Sequence, residues 1–174
     1  DLHKEYRRQR QMCIRDRVRA LQILARKAGI YGMVGGQVVD VEMTGKSLNK
    51  EQLDFIYRLK TGALLEASFM VGAALAGASD DMIRVLEETG KNIGYAFQIQ
   101  DDILDITSTT QELGKPVHSD EKNEKNTYVA VYGMEQAKEA VEAYSEKALT
   151  FLEQLPVQSA FLNTLVYALI SRKK

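Results

Sequence analysis

The sequence predicts an all-α fold, and three observations carry that prediction. Apolar residues recur at three- and four-residue steps from Val18 to the C-terminus. No stretch shows the two-residue alternation of a half-buried strand. The 174-residue chain has only 2 prolines, so long helices are rarely interrupted.

Residues 1–17, DLHKEYRRQRQMCIRDR, stand apart. They are rich in arginine, poor in apolar positions and lack a helical stripe, so they are read as not native to the fold. The absence of an initiator methionine before Asp1 leads us to expect a piece of a longer protein. Residues 18–174 are read as the folded portion.

From Val18 onward, Leu21, Ile23, Leu24 and Ala28 mark a first helix closed by Gly29 as a C′ glycine. The stretch GIYGMVGGQVVDVEMTG follows. Gly32, Gly35 and Gly36 are not followed by the Lys-Ser/Thr of a phosphate loop, so they are read as allowing close helix approach. Gln37 and Asp40 then share a face. Ser47 or Asn49 caps the next helix, expected from about Lys50 to Leu75 with Leu53, Ile56, Tyr57, Leu64, Ala67, Met70, Val71 and Ala74 as its stripe. Lys60 and Thr61 interrupt that stripe, just before the small pair Gly62 and Ala63.

Ser79 caps a second long helix carrying Ile83, Leu86, Ile93 and Phe97, with Gly90 and Gly94 giving it a smooth face. Both long helices extend on the order of 40 Å. Residues 107–126, TSTTQELGKPVHSDEKNEKN, lack periodicity and read as a loop bearing Lys115, Lys122 and Lys125. A loop of that length in a compact domain is usually functional or disordered. A short apolar run, Tyr128 to Tyr132, leads into a helix from Met134 that stops at Pro156, and a last helix follows Ser159.

Composition excludes several classes. A net charge of −1 provides no global basic field for nucleic acid. No apolar run approaches the roughly 20 residues that span a bilayer. The single cysteine, Cys13, excludes an internal disulfide and suits a reducing compartment. The expectation is a soluble, cytoplasmic protein.

The chemistry concentrates in residues 95–105, YAFQIQDDILD. In a helix Asp101 and Asp105 share a face, and Asp102 lies three residues from Asp105. Like charges so spaced cost about 0.2–0.5 kcal/mol per pair in water. The apolar neighbours raise that cost by drying the helix. A hard divalent cation would offset it, and Mg²⁺ typically takes one or two carboxylates and shares substrate phosphates. Gln98, one turn earlier, could donate to a phosphate oxygen. Lys60, Thr61, Lys115 and Lys125 add cations and a hydroxyl. Together these residues suggest a metal–diphosphate site.

FQIQDDILD, LGKP and SDEKNEKNTY resemble the second aspartate-rich region of the trans-isoprenyl diphosphate synthases, the farnesyl and geranylgeranyl diphosphate synthase family. GMVGGQVVD and RLKTGALL resemble two further motifs of that family, in order. The resemblance runs from about Val18 to the C-terminus and is to the C-terminal portion of the bacterial short-chain type. It implies part of an all-α isoprenoid-synthase bundle with a deep cavity and Mg²⁺, or Mn²⁺, as cofactor. Asp101, Asp102 and Asp105 would form the second metal site. Lys60, Thr61, Gln98, Lys115 and Lys125 would contact an allylic diphosphate, which ionises before isopentenyl diphosphate adds to it. Gln37 and Asp40 would support the site. The full-length protein would be a homodimer acting on small isoprenyl diphosphates.

The family's first aspartate-rich motif and its isopentenyl diphosphate-binding residues are absent, so the fragment alone is expected to be inactive. His118 stands where glycine is common, and VAVYGM replaces a leucine-rich stretch. A non-catalytic helical subunit and a terpene cyclase on the same fold are the competing readings. The Asn/Ser-containing metal motif of the cyclases is not found.

Overall fold

The computed structural model describes residues 2–107, 127–156 and 158–170. Every regular element among them is helical, as the periodicity predicts. Helix α1 is Leu2–Ala28, α2 Met33–Glu42 and α3 Lys50–Ile56. A π-helical segment, Tyr57–Gly62, leads directly into α4, Ala63–Leu75. Helix α5 is Asp80–Thr107, α6 Tyr128–Tyr132, α7 Met134–Glu153 and α8 Ala160–Ile170. None of the described helices is long and apolar enough to cross a membrane.

Helix α5 is the axis of the bundle. Its first half sends Ile83, Leu86 and Ile93 into one core with Met70, Ala74, Ala148, Leu152 and Val166. Its second half sends Ile99 and Ile103 into another with Leu53, Ile56, Tyr57, Ala137 and Val141. Ile93 and Ile99 are wholly buried, each contributing about 1.5–3 kcal/mol by leaving water. Helices α4 and α7 flank α5, while α1 lies on α4 and α2 crosses the π-helical segment.

Local chemistry sets the boundaries. Asn49 and Gln52 form a reciprocal capping box at α3, with bonds of 2.8 and 3.1 Å. Ser79 accepts from the Met82 N–H ahead of α5, and Ser159 from the Leu162 N–H ahead of α8. The expected Lys50–Leu75 helix is continuous, and the Lys60–Thr61 interruption is its π-helical turn. Such turns recur at functional sites.

Two local expectations change. Helix α1 starts at Leu2 rather than near Val18, because arginine, glutamine and methionine are good helix formers that extend a helix packed further along at Ala20. The described side chains from Arg10 to Arg15 are nonetheless exposed, and the first buried one is Ala20. Gly29 does not take the left-handed conformation expected of a C′ glycine. Among the described residues, positive φ falls at Gly45, Gly77 and Gly133. Gly133, at φ 88°, turns the chain between α6 and α7.

Candidate active site

Both α2 and α5 pack on the π-helical segment, and the start of α6 packs on α5. Small residues make the approach close. A Cβ on Gly36 of α2 would lie 2.4 Å from the Lys60 backbone nitrogen and 2.8 Å from the Leu59 Cβ. A Cβ on Gly94 would lie 2.8 Å from the Gly62 Cα, and one on Gly90 2.8 Å from the Glu66 Cα. The glycines expected to smooth helix faces therefore bring α2 and α5 onto the chain that carries Lys60 and Thr61.

That approach pairs the polar residues. The Lys60 ammonium donates to the Asp40 carboxylate at 2.6 Å, and both side chains stay partly open to solvent. Thr61 Oγ1 donates to Gln98 Oε1 at 2.8 Å. Gln98 thus spends its acceptor on Thr61 and keeps an amide N–H₂ for another partner. Gln37, on the same helix as Asp40, is half-buried.

The carboxylates of α5 differ in surroundings. Asp102 and Asp105 are 3% and 2% exposed, while Asp101 is half-buried. Asp102 Oδ2 accepts the Tyr57 hydroxyl and, at 2.6 Å, the Tyr128 backbone N–H. The Tyr128 N–H also lies 3.0 Å from the Tyr57 hydroxyl oxygen. Burial pushes the Tyr128 phenol up to about 12, and the nearby Tyr144, Tyr132 and Asp54 add to the shift. Among the described residues, no group of three carboxylates, imidazoles or thiolates gathers at one point. Lys115 and Lys125, with His118, lie outside the described residues.

Tyr57 and Tyr128 are the residues that sequence reading passes over, one as core stripe and the other as an apolar run. For Tyr57 the signal was present, since a buried tyrosine hydroxyl requires a hydrogen-bond partner; Tyr128 contributes its backbone N–H, which no side-chain pattern marks.

A second polar cluster lies apart from this site. Lys27 of α1 donates to Glu66 of α4 and, at 2.7 Å, to Glu87 of α5. Burial alone would lower the Lys27 pKa, but its bonds to Glu66 and Glu87 and their charges outweigh burial and hold it raised. Glu66 Oε1 is buried without a hydrogen-bond partner among the described residues. The cluster borders a cavity of about 1030 Å³ that Ile23, Arg58, Ala63 and Met70 also line and that none of the α5 aspartates reaches.

The polyprenyl synthetase family matches this sequence over residues 4–156. The chain belongs to the polyprenyl synthetase family. It is 42% identical over 146 residues to farnesyl diphosphate synthase of Geobacillus stearothermophilus, covering 84% of this chain and 49% of that protein. It is 40% identical over 164 residues to farnesyl diphosphate synthase of Escherichia coli strain K12, covering 92% and 55%. The chain thus spans about half the length of these relatives. Among solved structures, the Helicobacter pylori geranyltransferase complexed with magnesium and isoprenyl diphosphate superposes with a TM-score of 0.74 at 33% identity, covering 88% of this chain and 50% of that one. Staphylococcus aureus heptaprenyl diphosphate synthase superposes with a TM-score of 0.82 at 25% identity, covering 90% and 60%. The expected isoprenoid-synthase fold is therefore present, and the aspartates lie in the part of the chain that matches the polyprenyl synthetase family.

Proposed function

We propose that the protein carrying this chain is a cytoplasmic prenyltransferase that joins an allylic diphosphate to isopentenyl diphosphate, giving a short-chain polyprenyl diphosphate. The observation that carries the reading is the pairing of Lys60 with Asp40 and of Thr61 with Gln98, which lies one turn before the aspartates of α5, in a chain of the polyprenyl synthetase family. An ammonium, an amide N–H₂ and carboxylates near one another support the reading, because they are the donor and acceptor types that a metal-bound diphosphate needs.

Asp101 and Asp105 fit Mg²⁺: they are hard oxygen donors on one helix face, and this ion needs only one or two protein carboxylates. When bound, the metal would supply positive charge to the diphosphate oxygens as the C–O bond to the allylic carbon breaks. Lys60 would bind the same diphosphate as a point charge, and Gln98 would orient it through its free amide hydrogens. Lys115 and Lys125 complete the proposed allylic diphosphate contacts, with Gln37 and Asp40 in support. The alkene of isopentenyl diphosphate would then attack the allylic carbon, and loss of a proton would complete elongation. Exposed apolar side chains along α1 and the turn after it, among them Leu21, Leu24, Ile30 and Tyr31, support further burial in the whole protein, including a homodimer.

The test is product formation by the full-length protein, supplied with labelled isopentenyl diphosphate, an allylic diphosphate and Mg²⁺. Labelled farnesyl or geranylgeranyl diphosphate is expected, and the 174-residue chain alone should give little or none. No elongated product from the full-length protein would remove the proposal.

A further inference from the structure

We infer that Asp102 is a positioning residue, a clamp that joins three elements of the site, and that metal binding on this stretch of α5 falls first to Asp101, the more exposed carboxylate. The inference rests on the prenyltransferase reading for its consequence but on separate geometry for its substance. Asp102 is 3% exposed, and one of its oxygens, Oδ2, takes both the Tyr57 hydroxyl and the Tyr128 N–H. An oxygen holding two donors presents its lone pairs to them. Leaving a buried carboxylate without its donors is costly, so both donors are held firmly.

Each donor belongs to a different element. Tyr57 opens the π-helical segment, three residues before Lys60 and four before Thr61. Tyr128 opens α6, where Thr127 caps the helix by accepting the Ala130 N–H at 3.1 Å. The tilted ring pair Tyr57–Tyr128, with centroids 6.4 Å apart, ties that short helix to the π-helical segment a second time. A five-residue helix has no stability of its own in water, so its place depends on such contacts. Asp102 thereby sets the start of α6 and the start of the π-helical segment relative to α5. The effect on chemistry passes through Tyr57 to Lys60 and Thr61, and along α5 to Asp101 and Asp105.

Hydrogen exchange at the Tyr128 amide, read alongside Mg²⁺ dependence in the full-length protein, separates a clamp from a ligand. Asp102→Asn keeps an acceptor oxygen but loses the charge, Asp102→Ala loses both, and Tyr57→Phe keeps the packed ring without the hydroxyl. Exchange at Tyr128 should quicken on the order of tenfold in Asp102→Ala and measurably in Tyr57→Phe, and return toward the parent value in Asp102→Asn. Tyr57→Phe should raise the allylic diphosphate KM more than it lowers kcat. Half-saturating Mg²⁺ should rise about 10–100-fold in Asp101→Asn and stay within about twofold of the parent in Asp102→Asn. An increase in Asp102→Asn equal to that in Asp101→Asn, or unchanged exchange in both Asp102→Ala and Tyr57→Phe, overturns the clamp. If Asp102→Ala fails to fold, the Tyr57→Phe exchange and the Asp102→Asn titration decide it. An unchanged Mg²⁺ requirement in Asp101→Asn would instead overturn the metal reading of α5, and exchange at Tyr128 would still judge the clamp.

Discussion

Lys60 and Asp40, twenty residues apart, meet at 2.6 Å because Gly36 lets α2 lie directly on the backbone of the π-helical segment. The pair stays partly solvated, so it is worth about 0.2–1 kcal/mol rather than several. On the proposed function, its larger role would be to hold a flexible ammonium near Thr61 and Gln98 before substrate arrives. Replacing Asp40 by Asn in the full-length protein should raise the allylic diphosphate KM about 2–5-fold, with a smaller fall in kcat. An unchanged KM would mean that Asp40 does not prepare Lys60 for the diphosphate.

The same close approach makes Gly36 a sensitive position. A methyl group there meets the Lys60 backbone nitrogen and Leu59, which belong to a helix and cannot move aside cheaply. Gly36→Ala should destabilise the chain by about 1–3 kcal/mol in urea unfolding with an unchanged m-value. A stability equal to the parent would show that the two helices are less tightly apposed than the geometry implies.

Alkaline pH tests the buried phenols and Lys27. Burial holds Tyr95 and Tyr128 up to about 12, and Lys27 is raised above its ordinary value by Glu66 and Glu87. All three retain their protons in the folded chain at a pH where the unfolded chain gives them up. Their contribution is complete below about pH 10 and is lost as pH rises through the folded values. Urea midpoints should therefore stay level to about pH 10 and fall between about pH 10 and 12. Tyr128→Phe should flatten part of that fall. A midpoint that rose across this interval would contradict the assignment.

Much of this architecture was legible before any coordinates. The stripe from Leu53 to Ala74, apart from the exposed Leu64, the caps at Asn49 and Ser79, and the Gly90–Gly94 face all depend on local geometry, which sequence spacing encodes directly. The meeting of Thr61 with Gln98 was legible only as two polar residues near glycines. What spacing could not show was the division of labour among the aspartates. Asp101 and Asp102 are adjacent and chemically identical, and only the fold directs one toward Tyr57 and Tyr128. Nor could composition show that the arginine-rich start extends α1, because a solvated helix needs no apolar stripe to persist beside a packed one.

Helix α5 stands or falls as a metal-bearing wall on Asp101. The most direct measurement is the turnover of the full-length protein carrying Asp101→Ala, with Mg²⁺ and both diphosphate substrates saturating and far-UV circular dichroism confirming the helix content. Turnover reduced by about 10²–10⁴-fold with the helices intact is the predicted result. Turnover within about twofold of the parent would contradict the account.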